Sequence, residues 1–229
     1  MRKTKIIKGI IFDLDGTIID TLPDLANSVN YGLQKVGLEK IPTDIIKGFI
    51  GDGMKSLIEK TLNDLYNQQK ISLEEKEKLF QIVFQYFFEL YDRNCVNLTK
   101  PYEGVVDFLE EFRDRYKFAI LTNKSDYFTK KIIKQLDLEK YFSHILSGDV
   151  EEYKKPKPNG IKKIQQDWNL SEDEIIVVGD HYTDILSAKN ANVKSIFAMY
   201  GYGKLNGYQP NYSIKQFSSL KVLLKILQE

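Results

Sequence analysis

The sequence predicts an α/β protein: an open parallel sheet covered by helices on both faces, with an all-helical segment inserted after the first strand. Three observations carry this. From about residue 98 onward, short apolar strands alternate with amphipathic helices, the pattern of a parallel sheet buried on both sides. From 21 to 97, apolar residues recur at helical spacing and no convincing strand lies between the stripes. The apolar run 6–12 precedes those helices and has no strand nearby to satisfy its backbone, so it must join the later sheet. The expected domains are 1–20 with 98–229, and 21–97.

In the inserted segment, Leu22, Leu25, Val29 and Leu33 form one stripe, with Pro23 near a helix start. Leu57, Ile58, Leu62 and Leu65 form a second. Leu79, Val83, Phe84, Phe87, Phe88 and Leu90 form a third, and all three read as the core of a bundle. Beyond it, helix 104–115 precedes strand 118–122, and helix 126–136 precedes a short strand at 144–147. Helix 158–168 precedes strand 175–179, and helix 183–190 precedes strand 194–197. A last amphipathic helix is expected over 214–228, with Ile214, Phe217, Leu220, Leu224 and Leu227 on one face.

Composition narrows the classes of function. Lys and Arg number 33 against 32 Asp and Glu, so no global basic field favours nucleic acid. No apolar run approaches the roughly 20 residues of a membrane helix. Arg2, Lys3 and Lys5 precede an apolar run that Asp13 cuts short, so a secretory signal peptide is not expected. The single cysteine, Cys95, reads as a packing residue and suits a reducing compartment; a cytoplasmic protein, monomeric or homodimeric, is expected.

The chemistry concentrates where strands end, which is where ligands bind in an open parallel sheet. The first strand runs into Phe12-Asp13-Leu14-Asp15-Gly16-Thr17. Two carboxylates that share one site cost energy unless a metal or a proton compensates. One, Asp13, can attack an electrophile, and the other, Asp15, can carry a proton. An Asp-Gly turn is the bland alternative. After strand 118–121 come Thr122, Asn123, Lys124 and Ser125, able to hold an anionic oxygen but equally an ordinary helix cap. In Lys154-Lys155-Pro156-Lys157-Pro158, two prolines stiffen a backbone that could aim a lysine at a phosphoryl group, although most such runs are exposed basic loops. After strand 175–178 come Gly179-Asp180-His181-Tyr182-Thr183-Asp184. Asp13, Asp15 and Asp180 make an oxygen-only ligand set that suits Mg²⁺. Only His144 accompanies His181 and no cysteine lies near, so zinc is not expected and His181 reads as a loop residue.

Phe-Asp-Leu-Asp-Gly-Thr, Leu-Thr-Asn, Lys-Pro-Lys-Pro and Val-Gly-Asp-(x3)-Asp, in that order, resemble the four motifs of the haloacid dehalogenase-like hydrolases, over most of residues 6–203. The resemblance implies a Rossmann-like core with a helical cap domain. Residues 20–26, Gly51-Asp52-Gly53, Tyr102-Glu103-Gly104-Val105 and Tyr200-Gly201-Tyr202-Gly203 are similar to the phosphoglycolate phosphatase branch, with Glu103 where proline is common and Asp52 where asparagine is expected. The resemblance implies that Asp13 is nucleophile and Mg²⁺ ligand, and that Asp15 is acid/base and ligand through its carbonyl. It implies that Thr122 and Asn123 bind the phosphoryl group, that Lys155 stabilises the phosphoaspartate, and that Asp180 and Asp184 serve the metal. Gly51, Asp52, Gly53 and Lys55 would then meet the leaving group of a small phosphorylated metabolite. Asp15 favours phosphoryl transfer over dehalogenation, because an alkoxide needs a proton and a halide does not. A phosphatase of pyrophosphate, a nucleotide or a sugar phosphate, a phosphomutase, and a non-catalytic binding module are the rival readings.

Overall fold

The computed structural model describes residues 6–227. The basic residues Arg2, Lys3 and Lys5, and position 228 of the expected last helix, lie outside them. The chain divides into two units, Met1–Asp20 with Pro101–Glu229, and Thr21–Lys100. In chain order the elements are β1 (Gly9–Phe12), β2 (Ile19–Asp20), α1 (Leu22–Lys35), α2 (Thr43–Lys47), α3 (Met54–Asn67), α4 (Leu73–Asn94), β3 (Lys100–Pro101), α5 (Val105–Phe112), β4 (Lys117–Leu121), α6 (Asp126–Gln135), β5 (His144–Leu146), α7 (Asn159–Trp168), β6 (Ile175–Gly179), α8 (Tyr182–Asn190), β7 (Lys194–Ala198), β8 (Tyr212–Ile214) and α9 (Ser219–Ile226). None of the described helices is long and apolar enough to cross a membrane.

The α/β unit is built on a six-stranded sheet in the order β5-β4-β1-β6-β7-β8. Each neighbouring pair is parallel, and β1 lies between β4 and β6 with Gly9 opposite Lys117 on one side and Ile175 on the other. The winding therefore reverses beside β1, and the carboxyl ends of β1, β4 and β6 meet at the switch point. Side chains alternate across the sheet. Ile11 packs with Leu121, Val177, Ile161, Ile164 and Trp168 on one face. Phe12 turns to Phe118 and Phe217 on the other. Gly9 is required by the first packing, because a Cβ there would lie 2.5 Å from the Trp168 ring.

The expected final helix is corrected in part. Ile214 does not begin a helix; it closes β8, which pairs Tyr212–Ile214 with Ile196–Ala198. A three-residue strand is too short to show its period of two, and Ile214 happens to stand three residues before Phe217, a helical spacing. The expected helix 104–115 also ends early, at Phe112, where Arg115 and Tyr116 turn back onto the Phe112 carbonyl.

In the helical unit, Leu25, Val29 and Leu33 of α1 and Val83, Phe87 and Tyr91 of α4 are buried. Gly32 lets the two backbones approach, since a Cβ would lie 2.7 Å from the Val83 carbonyl. The third expected stripe is narrower than its sequence suggested: Phe88 is 39% exposed. Cys95 is buried, as a packing residue should be. The five-residue α2 carries too few positions to show a stripe. Asp24 in the first turn of α1 is buried and accepts from the backbone N–H groups of Leu98 and Thr99, at 2.9 and 2.8 Å, and from Thr99 Oγ1 at 2.8 Å. It ties the start of this unit to its end. Asp24→Ala strands those donors and is expected to cost about 2–4 kcal/mol, read as a lower melting temperature; an unchanged melt would show that the closure contributes nothing.

Candidate active site

Asp13 follows β1 directly, held by its N–H to the Val178 carbonyl at 2.9 Å. The chain then turns sharply at Gly16, with a positive φ of 83° and N–H bonded to the Ile19 carbonyl. Asp180 follows β6. A side chain at Gly16 would meet Asp180 Oδ2 at 2.5 Å, so the two strand ends close on each other only because position 16 is glycine. Asp184 enters from the first turn of α8, where its Oδ2 accepts from the His181 N–H at 2.9 Å in a capping arrangement. Here too glycine is needed: a Cβ at Gly179 would lie 2.2 Å from Asp184 Cγ.

These acids converge. One carboxylate oxygen from each of Asp13, Asp180 and Asp184, all buried, lies within 4.8 Å of the others. The ammonium of Lys155 bridges two of them, 2.7 Å from Asp13 Oδ1 and 2.6 Å from Asp184 Oδ1. The approach to Asp13 Oδ1 is close but off the hydrogen-bond direction, so that buried oxygen has an ion-pair contact and no hydrogen bond. Burial, and then the charges of its neighbours, push the Asp13 carboxyl up to about 6 against the attraction of Lys155. Burial, then Asp13 and Asp184, push Asp180 up to about 7. Burial alone would lower the Lys155 ammonium, but Asp13 and Asp184 outweigh it and hold it above its ordinary range, fully charged.

Asp180 is fixed on both oxygens. Thr17 Oγ1 donates to Oδ1 at 3.0 Å, and the N–H groups of Tyr202 and Gly203 donate to Oδ2 at 2.7 and 3.1 Å. The same loop is pinned to the β1 turn: Tyr200 Oη donates to the Thr17 carbonyl at 2.7 Å and Tyr202 Oη to Asp20 Oδ1 at 2.6 Å.

Asp15 meets a second lysine. Lys124 Nζ stands 3.1 Å from both of its oxygens. Thr122 is buried after β4, its Oγ1 accepting from the Lys124 N–H at 3.2 Å. The Asn123 side chain braces Lys155 from both sides of its backbone: Oδ1 accepts from the Lys155 N–H at 2.9 Å and Nδ2 donates to its carbonyl at 3.2 Å. Among the strand-end candidates, then, Asp13, Asp180, Asp184 and Lys155 form one cluster, with Asp15, Thr122 and Asn123 beside it. Gly51, Asp52, Gly53 and Lys55 belong to the helical unit. There Gly51 and Gly53 have positive φ of 127° and 92°, and Asp52 is ion-paired with Lys60 at 2.5 Å. His181 caps α8, and its ring nitrogen Nδ1 meets Thr183 Oγ1 at 3.0 Å. Thr17 closes the first motif and Lys124 lies in the Thr122–Ser125 cluster, but the sequence assigns neither a role of its own, and the contacts of Thr17 with Asp180 and of Lys124 with Asp15 come from the fold.

The donor set fits a hard divalent cation. Four carboxylates face two lysine ammonium groups, one buried oxygen has no hydrogen bond, and all available donors are oxygens. The sequence profile of the haloacid dehalogenase-like hydrolases matches residues 10–198, a span containing every one of these strand-end groups. The chain belongs to the haloacid dehalogenase-like hydrolases. It is 33% identical over 219 residues to a phosphoglycolate phosphatase of Aquifex aeolicus (strain VF5), covering 95% of this chain and 97% of that one. It is 32% identical over 218 residues to a phosphoglycolate phosphatase of Psychrobacter arcticus, covering 92% and 93%. A crystal structure of a predicted phosphoglycolate phosphatase from Haemophilus somnus 129pt superposes with a TM-score of 0.87 at 28% identity, covering 95% and 97%. This haloacid dehalogenase-like hydrolase thus falls in the phosphoglycolate phosphatase-like branch, and the activity that goes with that placement is phosphoric monoester hydrolysis.

Proposed function

We propose that the chain is a Mg²⁺-dependent phosphatase of a small phosphomonoester, with 2-phosphoglycolate the first substrate to test. The observation that supports this best is the buried trio Asp13, Asp180 and Asp184 bridged by Lys155 at the switch point of the sheet. Asp13 attacks the phosphorus in line; the new O–P bond forms as the bond to the leaving oxygen breaks, giving an aspartyl phosphate. Asp15 donates a proton to the leaving alkoxide and afterwards takes one from the water that hydrolyses the intermediate. Lys155 and the Thr122–Asn123 turn receive the phosphoryl oxygens. Asp13, Asp180, the Asp15 carbonyl and Asp184 would hold the metal. Bound Mg²⁺ neutralises phosphoryl and carboxylate charge that two lysines leave uncompensated. A cytoplasmic location, as expected for a chain with one buried cysteine, belongs to the same reading.

The test is phosphate release by purified protein from a panel of phosphomonoesters, pyrophosphate and nucleotides, with and without Mg²⁺. The highest kcat/KM is expected for 2-phosphoglycolate with Mg²⁺; no release from any phosphomonoester under those conditions overturns the proposal.

Choice of leaving group is assigned to the helical unit, as a cap whose loop Gly51-Asp52-Gly53, with Lys55, meets the substrate. The two positive-φ glycines give that loop a shape other residues rarely adopt. Asp52→Ala and Lys55→Ala are expected to change the ratio of kcat/KM between phosphoglycolate and a bulkier sugar phosphate more than they change phosphoenzyme hydrolysis. If both variants keep the wild-type ratio, specificity comes from elsewhere in the insert.

A further inference from the structure

The group that moves the proton has a partner of its own. Asp15 sits on a tight turn: it bridges to Ile19, and the Gly16 N–H is bonded to the Ile19 carbonyl at 2.9 Å. Across from it, the turn after β4 is equally fixed. The Lys124 N–H is bonded to Thr122 Oγ1 at 3.2 Å, and its carbonyl accepts from the Gly148 N–H at 2.9 Å. Gly148 can come that close only without a side chain, since a Cβ would lie 2.3 Å from the Asn123 carbonyl oxygen. Between these two clamped backbones the Lys124 side chain, 3% exposed, reaches the Asp15 carboxylate, 13% exposed, with equal distances of 3.1 Å to both oxygens. A symmetric contact of this kind fixes the rotation of the carboxylate as well as its position. Asp15 thus has a lysine of its own, as Asp13 and Asp184 have Lys155.

We propose that Lys124 is the positioning residue for Asp15. It holds that carboxyl where the leaving oxygen departs, so that the Asp15 O–H bond breaks as the O–H bond of the leaving alcohol forms. This rests on the reading of Asp15 as the acid/base group. The lysine acts through orientation: proton transfer needs heavy atoms within hydrogen-bond reach, and misplacement by about 1 Å costs on the order of 10²-fold. Without Lys124 the carboxylate loses the symmetric contact that sets its rotation, while the turn beneath it keeps its own hydrogen bond.

Three readouts test this. Lys124→Met is expected to lower kcat for 2-phosphoglycolate by about 10²-fold with KM changed by less than about 3-fold. With p-nitrophenyl phosphate, whose leaving group departs without a proton, the burst of phosphoenzyme formation should fall far less, by under about 5-fold. The double variant Asp15→Asn/Lys124→Met should be no slower than Asp15→Asn alone, because a residue that works only through Asp15 has nothing left to position. Melting temperature and orthophosphate binding certify that the variant is folded; if Lys124→Met does not fold, Lys124→Gln, which keeps length and a donor, runs the same cycle. Wild-type kcat in the lysine variant overturns the inference. So does a loss confined to KM, which would make Lys124 a substrate contact, and so do losses that multiply in the double variant. If Asp15→Asn itself turns over normally, the acid/base reading falls and this inference with it. If Asp15→Asn is inactive and the lysine variant is not, only the role of Lys124 is lost.

Discussion

Asp13→Asn is expected to lower turnover by at least about 10³-fold while the protein stays folded, because amide oxygen cannot replace a carboxylate that forms the covalent bond to phosphorus. The environment adds a second expectation. Burial raises Asp13 to about 6, which means that the ionised carboxylate is disfavoured in the folded state. Asparagine has the same shape and no charge. Lys155 keeps its contact to Asp184 at 2.6 Å, so its ammonium is not orphaned. In metal-free buffer at pH 8 the variant should therefore melt at or above the wild-type temperature. Phosphate release and a thermal melt monitored by circular dichroism read the two effects separately. A folded Asp13→Asn protein with a tenth of wild-type activity would remove Asp13 from the role of nucleophile.

Chelation is expected to abolish activity and Mg²⁺ to restore it, with Ca²⁺ a poor substitute because it accepts a looser geometry. Stability should follow the same site. Asp13 at about 6 and Asp180 at about 7 both lie above their ordinary value of 3.8. Between these limits the folded state retains protons that the unfolded chain has released, so metal-free stability falls as pH rises from about 4 to about 7. Lys155 is raised as well, and a raised lysine gives up its contribution only at alkaline pH, outside this window. A cation that takes the place of those protons competes with them. At 100-fold excess over its dissociation constant Mg²⁺ stabilises by about 2.7 kcal/mol, and the rise in melting temperature should be larger at pH 8 than at pH 5. Equal rises at both pH values, or full activity in excess chelator, would refute a metal at these carboxylates.

The parallel sheet was legible in the sequence because its strands are short apolar runs ending in polar clusters. β1, β4 and β6 each stop where an Asp or a Thr follows, and the buried pattern of β6 has no polar residue to confuse it. β8 was not legible because three residues cannot display a period. The width of the buried face of α4 was not legible either, because Phe88 is as apolar as Phe87 and only packing decides which one faces inward. At the site, the acids announced themselves as charges at the ends of buried strands. Their partners did not. Lys124, Thr17 and the Tyr202 N–H act across 109, 163 and 22 residues of chain, distances over which one sequence carries no sign of contact. Asn123 shows the same limit: its identity suggested an anion ligand, and only the fold reveals that its amide holds the backbone of Lys155.

The order of strands has a consequence for how the chain reaches this state. β1 is synthesised before both of its sheet neighbours, Lys117–Leu121 and Ile175–Gly179. Until both have been synthesised, an all-apolar strand remains without its native hydrogen-bond partners. The helices of Thr21–Lys100, where α1 and α3 both pack on α4, can assemble in that interval. Nucleation of the sheet is thus a late, long-range event, and chains truncated before Ile175 would expose a sticky open edge to one another. The strand that leads into Asp13 is thus translated before either of the strands that flank it.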